Sequence, residues 1–192
     1  MSRTEEASGR VLLPLARAAI TQALGRSHAA DDTAPWLHVP GACFVTLTQD
    51  DQLRGCIGTL QAHRPLLADV RANALAAAFH DPRFTPLAAH ELEGTEVEVS
   101  LLSPMQTLHF SSEAEALAQL RPGVDGVVFQ YGSQRSTFLP QVWEQLPATD
   151  DFMAHLKRKA GLPPGFWHEA VQLQRYTVAK WKERELRLAS AP

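Results

Sequence analysis

The sequence predicts an α+β protein: a mainly antiparallel sheet flanked by helices. Two segments read as strand–turn–strand, "ACFVTLTQDDQLRGCIGTL" and "GVVFQYGSQRSTFL". A third, "TEVEVSLL", sets Val97, Val99 and Leu101 against Glu96, Glu98 and Ser100, the alternation of a half-buried strand. Helical segments fall between these strands without the regular strand–helix alternation of a parallel sheet.

In chain order, Val11 to Leu24 has helical spacing, admits Pro14 in a first turn and stops at Gly25. A polar loop leads to a strand at Ala42–Thr48, which Asp50 and Asp51 turn into Leu53–Leu60. A turn centred on those aspartates sets Val45 opposite Cys56 and Cys43 opposite Gly58, with Cys43 diagonal to Cys56 on one face. The segment "RPLLADVRANALAAAFHD" is a helix with Pro65 at its start and Asp81-Pro82 at its end. Ser112 and Glu115 have capping-box spacing ahead of a short helix to Leu120. After the second hairpin, Asp150 to Ala160 is helical, with Thr149 or Asp150 as cap and Gly161 as stop. The stretch "AVQLQRYTVAKW" changes phase near Gln174 and Arg175, as one bulged strand would.

At 192 residues with 45% hydrophobic and 20% charged composition, the chain has the makeup of an ordinary globular protein. One domain over residues 10–185 is expected, with flexible ends at 1–9 and 189–192. The net charge of −3 and the scattered basic residues match no nucleic-acid-binding motif. The polar start "MSRTEEASGR" reads as neither signal nor transit peptide, and no apolar run has bilayer length, so a cytoplasmic protein without membrane association is expected. Two cysteines are too few for a disulfide scaffold or a four-thiolate zinc site, so both are expected as reduced thiols. The histidines form no HxH or HExxH pattern, which leaves no metal site indicated. Nucleotide-cradling glycine motifs and GxSxG are absent from the sequence, and no cofactor is expected.

The chemistry concentrates in "QLRGCIGTL". Strand alternation sends Arg54, Cys56 and Gly58 to one face, and a guanidinium near a thiol favours the thiolate. Gly58 removes a side chain beside that pair. Against this stands the ordinary reading of a free cysteine as small core packing. In "HDPRF", Asp81 and Arg83 sit at a helix exit, where a cap and a surface ion pair are the plain interpretation. Gln141 and Lys159 lie near element ends, where loops supply functional groups.

Taken together, "LRGCIG", "DPRF", "EVSLLSP", "PGVDG", "FLPQV" and "KAGLP" resemble, in order, the motifs of the AMMECR family. Its prokaryotic members are called AmmeMemoRadiSam system protein A. The resemblance implies two unequal lobes with a cleft between them and the signature strand towards that cleft. It also implies association with Memo-type and radical SAM proteins, and it implies no particular reaction. Carried over by position, it marks Arg54, Gly55, Cys56 and Gly58, then Asp81 and Arg83, and then Glu98, Ser100, Gln141 and Lys159. Where several family members carry a cysteine this chain has Lys157, which speaks against a multi-cysteine metal or redox centre. Three readings follow: a thiol-dependent enzyme with Cys56 as nucleophile and Arg54 as support, a non-catalytic ligand- or protein-binding module, and a motif that specifies the fold.

Overall fold

A computed structural model describes the backbone of residues 3–189 and the side chains of residues 7–186. Of the ends expected to be flexible, residues 1–2 and 190–192 lie outside the described residues. The chain forms two compact units, one of residues 1–102 with 179–192, the other of residues 103–178.

In the first unit, α1 (Arg3–Ala23) starts well before the expected Val11 and takes Pro14 into its interior. A proline there costs a backbone hydrogen bond. The buried stripe of Leu12, Leu13, Leu15, Ala16 and Ile20 offsets that loss and carries the helix through. A short 3-10 turn at Pro35–His38 precedes β1 (Cys43–Gln49), which pairs with β2 (Gln52–Gly58). Asp50 and Asp51 both adopt positive φ, the two-residue hairpin turn whose twist matches that of the strands. Helix α2 (Leu66–Phe79) follows, then β3 (Thr95–Leu102), antiparallel to β1. Val45, Leu47, Val97 and Val99 are fully buried in one core with Leu12, Ile20, Val70 and Ala74 from the two helices.

The second unit holds β4 (Gln106–Thr107), α3 (Glu113–Ala118), β5 (Gly126–Tyr131) and β6 (Gln134–Phe138). It continues through a 3-10 turn at Pro140–Glu144 and α4 (Thr149–Lys159) to β7 (Gln172–Tyr176). As expected, the Ser112 side chain accepts from Glu115 N–H. The Glu115 carboxylate returns to the N–H and hydroxyl of Ser111, one residue before the usual partner of a capping box. Helix α4 is capped at Ala148 without a side-chain bond and ends at Gly161, whose φ is +83°. A stacked Trp143–Phe152 pair, with centroids 3.7 Å apart, anchors the core with Phe129, Met153, Leu156 and Leu173.

The expected final strand is two strands. It breaks at Thr177 into β7 and β8 (Val178–Lys182), and α5 (Glu183–Ala189) follows. The first sheet has the order β2-β1-β3-β8 and the second β4-β7-β5-β6, so the phase change near Arg175 is a change of sheet and not a bulge. The fold is α+β with two antiparallel sheets. No helix among the described residues is long and apolar enough to cross a membrane.

Candidate functional site on the first sheet

Next to the turn, Gln49 faces Gln52 and Thr48 faces Leu53, the register the turn predicts. Then the pairing slips: Leu47 faces Gly55 and Thr46 faces Cys56, which leaves Arg54 as the extra residue of a β-bulge. The slip corrects the expected partners. Cys56 opposes Thr46 in place of Val45, Gly58 opposes Phe44 in place of Cys43, and Cys43 lies in the core with 0% exposure.

The bulge also separates Arg54 from Cys56. Arg54, only 9% exposed, donates through Nε and Nη2 to the two oxygens of Glu91, each at 3.2 Å, and Glu91 also accepts from Gln49. Nη1 of Arg54 is buried without a hydrogen-bond partner among the described residues. No hydrogen bond joins Arg54 to the Cys56 thiol; the Arg54 guanidinium is engaged by Glu91. Gly55 turns towards α2, where a Cβ would stand 2.1 Å from the carbonyl oxygen of Ala77.

Bonds from Arg54, from the Ala88 N–H and from Gln49 hold the Glu91 carboxyl down at about 2, against an ordinary value of 4.5. A depressed carboxyl contributes stability that is fully present above the unfolded value and is lost as pH falls through the folded one. Glu91→Gln should therefore lower the melting temperature at neutral pH, with the gap to wild type closing between pH 4.5 and about 2. A gap independent of pH would show that the carboxylate charge contributes nothing.

Cys56 occupies the sheet face turned away from α1 and α2. It is half-buried, and its sulfur takes a hydrogen bond from Thr46 Oγ1 at 3.3 Å. Thr46 in turn faces Glu98 on β3, so Cys56, Thr46 and Glu98 form one row across three strands. Lys180 and Lys182 of β8 approach the Glu98 oxygens at 3.7 and 3.5 Å. The next row is Gly58, Phe44 and Ser100. The space at Gly58 is not open: a Cβ there would lie 2.2 Å from the Phe44 ring.

As the edge strand of its sheet, β2 has backbone groups at Cys56 that β1 does not use. Asp81, nearly fully buried, accepts the Cys56 N–H at 2.9 Å, and Arg83 Nη2 donates to the Cys56 carbonyl at 3.2 Å. Arg83 also clasps Asp81 through Nε at 2.9 Å and Nη2 at 2.7 Å. This pairing, chiefly the Arg83 bonds, holds the Asp81 carboxyl well below the usual carboxylate range. The guanidinium beside Cys56 is thus Arg83, distant in sequence, and not Arg54. By contrast, burial and then the charge of Asp69 push the Cys43 thiol far up.

The structure therefore gathers Cys56, Gly58, Glu98 and Ser100 on one face, with Asp81 and Arg83 at its edge. Gly55 and Arg54 lie on the helix side. Gln141 and Lys159 belong to the second unit, where Gln141 is exposed and Lys159 Nζ donates to the Thr137 carbonyl at 3.0 Å. Sequence reasoning passed over Thr46, Phe44, Glu91, Lys180 and Lys182. The alternation of β1 carried the signal for Thr46 and Phe44; the other three depend on contacts far along the chain. Both cysteines are free thiols, and no cluster of metal-binding side chains occurs among the described residues.

A two-sheet α+β chain with a clamped cysteine on its edge strand is the class these features define. The sequence model of the AMMECR1 family matches residues 13–181, and the chain belongs to that family. It is 37% identical over 153 residues to protein MJ0810 of Methanocaldococcus jannaschii, covering 76% of this chain and 74% of that one. It is 36% identical over 177 residues to a Methanothermobacter thermautotrophicus protein, with 88% of each chain covered. Among solved structures, the crystal structure of uncharacterized protein PH0010 from Pyrococcus horikoshii superposes with a TM-score of 0.75, at 32% identity over 91% of both chains.

Proposed function

We propose that the outer face of the first sheet is a thiol site, with Cys56 as nucleophile and Arg83 as its electrostatic support. The observation that carries this reading is the clamp. A buried carboxylate and a guanidinium are both committed to the backbone of one half-exposed cysteine, which fixes that stretch of strand and sets the Arg83–Asp81 ion pair beside it. Thr46 orients the sulfur, and the row to Glu98, Lys180 and Lys182 offers a polar platform three strand spacings, roughly 14 Å, across on which a substrate lies. Asp81 positions Cys56 and Arg83. Arg54, Gly55 and Gly58 shape the strand. In this reading the protein is the thiol-bearing member of a cytoplasmic modification system with Memo-type and radical SAM proteins. The support for that company is the family resemblance.

Alkylation with iodoacetamide at graded pH, followed by mass spectrometry of each cysteine peptide, tests the site. Cys56 should react far faster than Cys43 near neutral pH. Arg83→Met should slow it, Arg83→Lys should restore part of the rate, and Arg54→Met should leave the rate alone while lowering stability. Equal rates at the two cysteines, or a Cys56 rate unmoved by Arg83→Met in a folded variant, would overturn the thiol reading and favour a non-catalytic ligand- or protein-binding module on the same face.

A further inference from the structure

The second unit contains an open cavity of about 760 Å³, lined among others by Glu113, Leu117, Asp150, Lys157 and Pro164. Lys157 is an unusual residue for such a wall, because its side chain is only 3% exposed. An ammonium presents three N–H donors. Among the described residues its Nζ finds one hydrogen-bond acceptor, Glu113 Oε1 at 2.5 Å, and stands 5.6 Å from the centre of the Trp167 ring. Burying a cation with donors to spare costs free energy unless something in the cavity accepts them.

The charges around it are asymmetric. Glu113 and Asp150 outnumber Lys157, and Leu117 and Pro164 supply apolar wall. Asp150 and Lys157 are seven residues apart on α4, about 10 Å along the helix axis. The complement of this arrangement is a molecule with a carboxylate for Lys157, an adjacent ammonium for Glu113, an apolar stem, and a second cation at the reach of Asp150.

We infer that this cavity binds a free basic amino acid, its α-carboxylate on Lys157, its α-ammonium on Glu113 and its side-chain cation on Asp150. The ligand's net positive charge matches the net negative charge of the three side chains. The site is separate from the thiol of the first sheet and does not depend on it.

Titration of the full chain with L-lysine, followed by backbone amide NMR shifts, tests the inference. Saturable shifts are expected around Glu113, Asp150 and Lys157. Norleucine, which lacks the terminal amine, and cadaverine, which lacks the carboxylate, should each bind more weakly. Lys157→Met should reduce L-lysine affinity by about 10- to 100-fold, the worth of a charge-assisted hydrogen bond. Cys56→Ser should leave it unchanged. Should Lys157→Met fail to fold, the exposed Asp150→Asn decides: it should erase the preference for lysine over norleucine. Absence of saturable shifts with L-lysine, or equal binding of lysine and norleucine by the wild-type chain, overturns the proposal.

Discussion

Gly55→Ala should destabilise the protein by about 3 kcal/mol, the upper end of the cost of overpacking. The added methyl would lie 2.1 Å from the Ala77 carbonyl oxygen and 3.0 Å from its carbon. Those atoms are helix backbone near the end of α2 and cannot rotate aside, so the strand or the whole helix must move. The helix cannot yield cheaply, because Ala74, Ala77 and Ala78 are buried on the same face. Urea denaturation should show a lower midpoint with an unchanged slope. Gly58→Val makes a useful contrast, since its obstacle is the half-buried Phe44 ring, a side chain that can give, and its cost should be nearer 1 kcal/mol. If Gly55→Ala proves no worse than Gly58→Val, close approach of strand to helix is not what the glycine serves. The result bears on function as well, because the residue displaced with Gly55 is Cys56.

Local chemistry made much of this fold legible. The paired aspartates announce a two-residue turn, the alternation of β3 assigns its faces, and Ser112 and Gly161 mark helix ends as expected. Failures came where the deciding partner was remote. Strict alternation through "LRGC" made Arg54 the neighbour of Cys56, but Glu91 draws its guanidinium to the other side and the strand bulges to allow it. The division of the last strand was hidden for a similar reason. Only the sheet orders reveal that β7 completes one sheet and β8 another. The cysteine itself stood out in the sequence, whereas its row with Thr46 and Glu98 rests on β1 lying between β2 and β3. Arg83 was noticed as a helix-exit residue, but its contact with a strand that precedes it by more than a helix has no local signal.

Asp69→Ala should cost about 3 to 4 kcal/mol, because it strips a buried carboxylate from several donors at once. Asp69 on α2 is 0% exposed. It accepts from the Cys43 N–H at 2.9 Å, the Cys43 thiol at 3.3 Å, Thr59 Oγ1 at 2.8 Å, Arg64 Nε at 2.8 Å and Asn73 Nδ2 at 3.0 Å. Cys43 begins β1 and Thr59 follows the end of β2, so one side chain ties the open end of the hairpin to the helix, opposite the Asp50-Asp51 turn. Alanine would leave the Cys43 N–H buried without its acceptor, while Asn73 keeps the Cys43 carbonyl and Thr59 Oγ1 and Arg64, partly exposed, recovers water. Asp69→Asn keeps the shape but turns an acceptor into a donor facing other donors, so it should recover only part of the loss. Cys43 supplies an independent readout. Its thiol is protected first by burial and then by the Asp69 charge, so alkylation of Cys43 should rise in the alanine variant as the hairpin end opens. Urea melts and peptide-resolved alkylation on the same samples measure both effects. A variant within about 1 kcal/mol of wild type, with Cys43 still protected, would mean that the hairpin carrying Cys56 is held by its strand pairing and apolar core without the carboxylate.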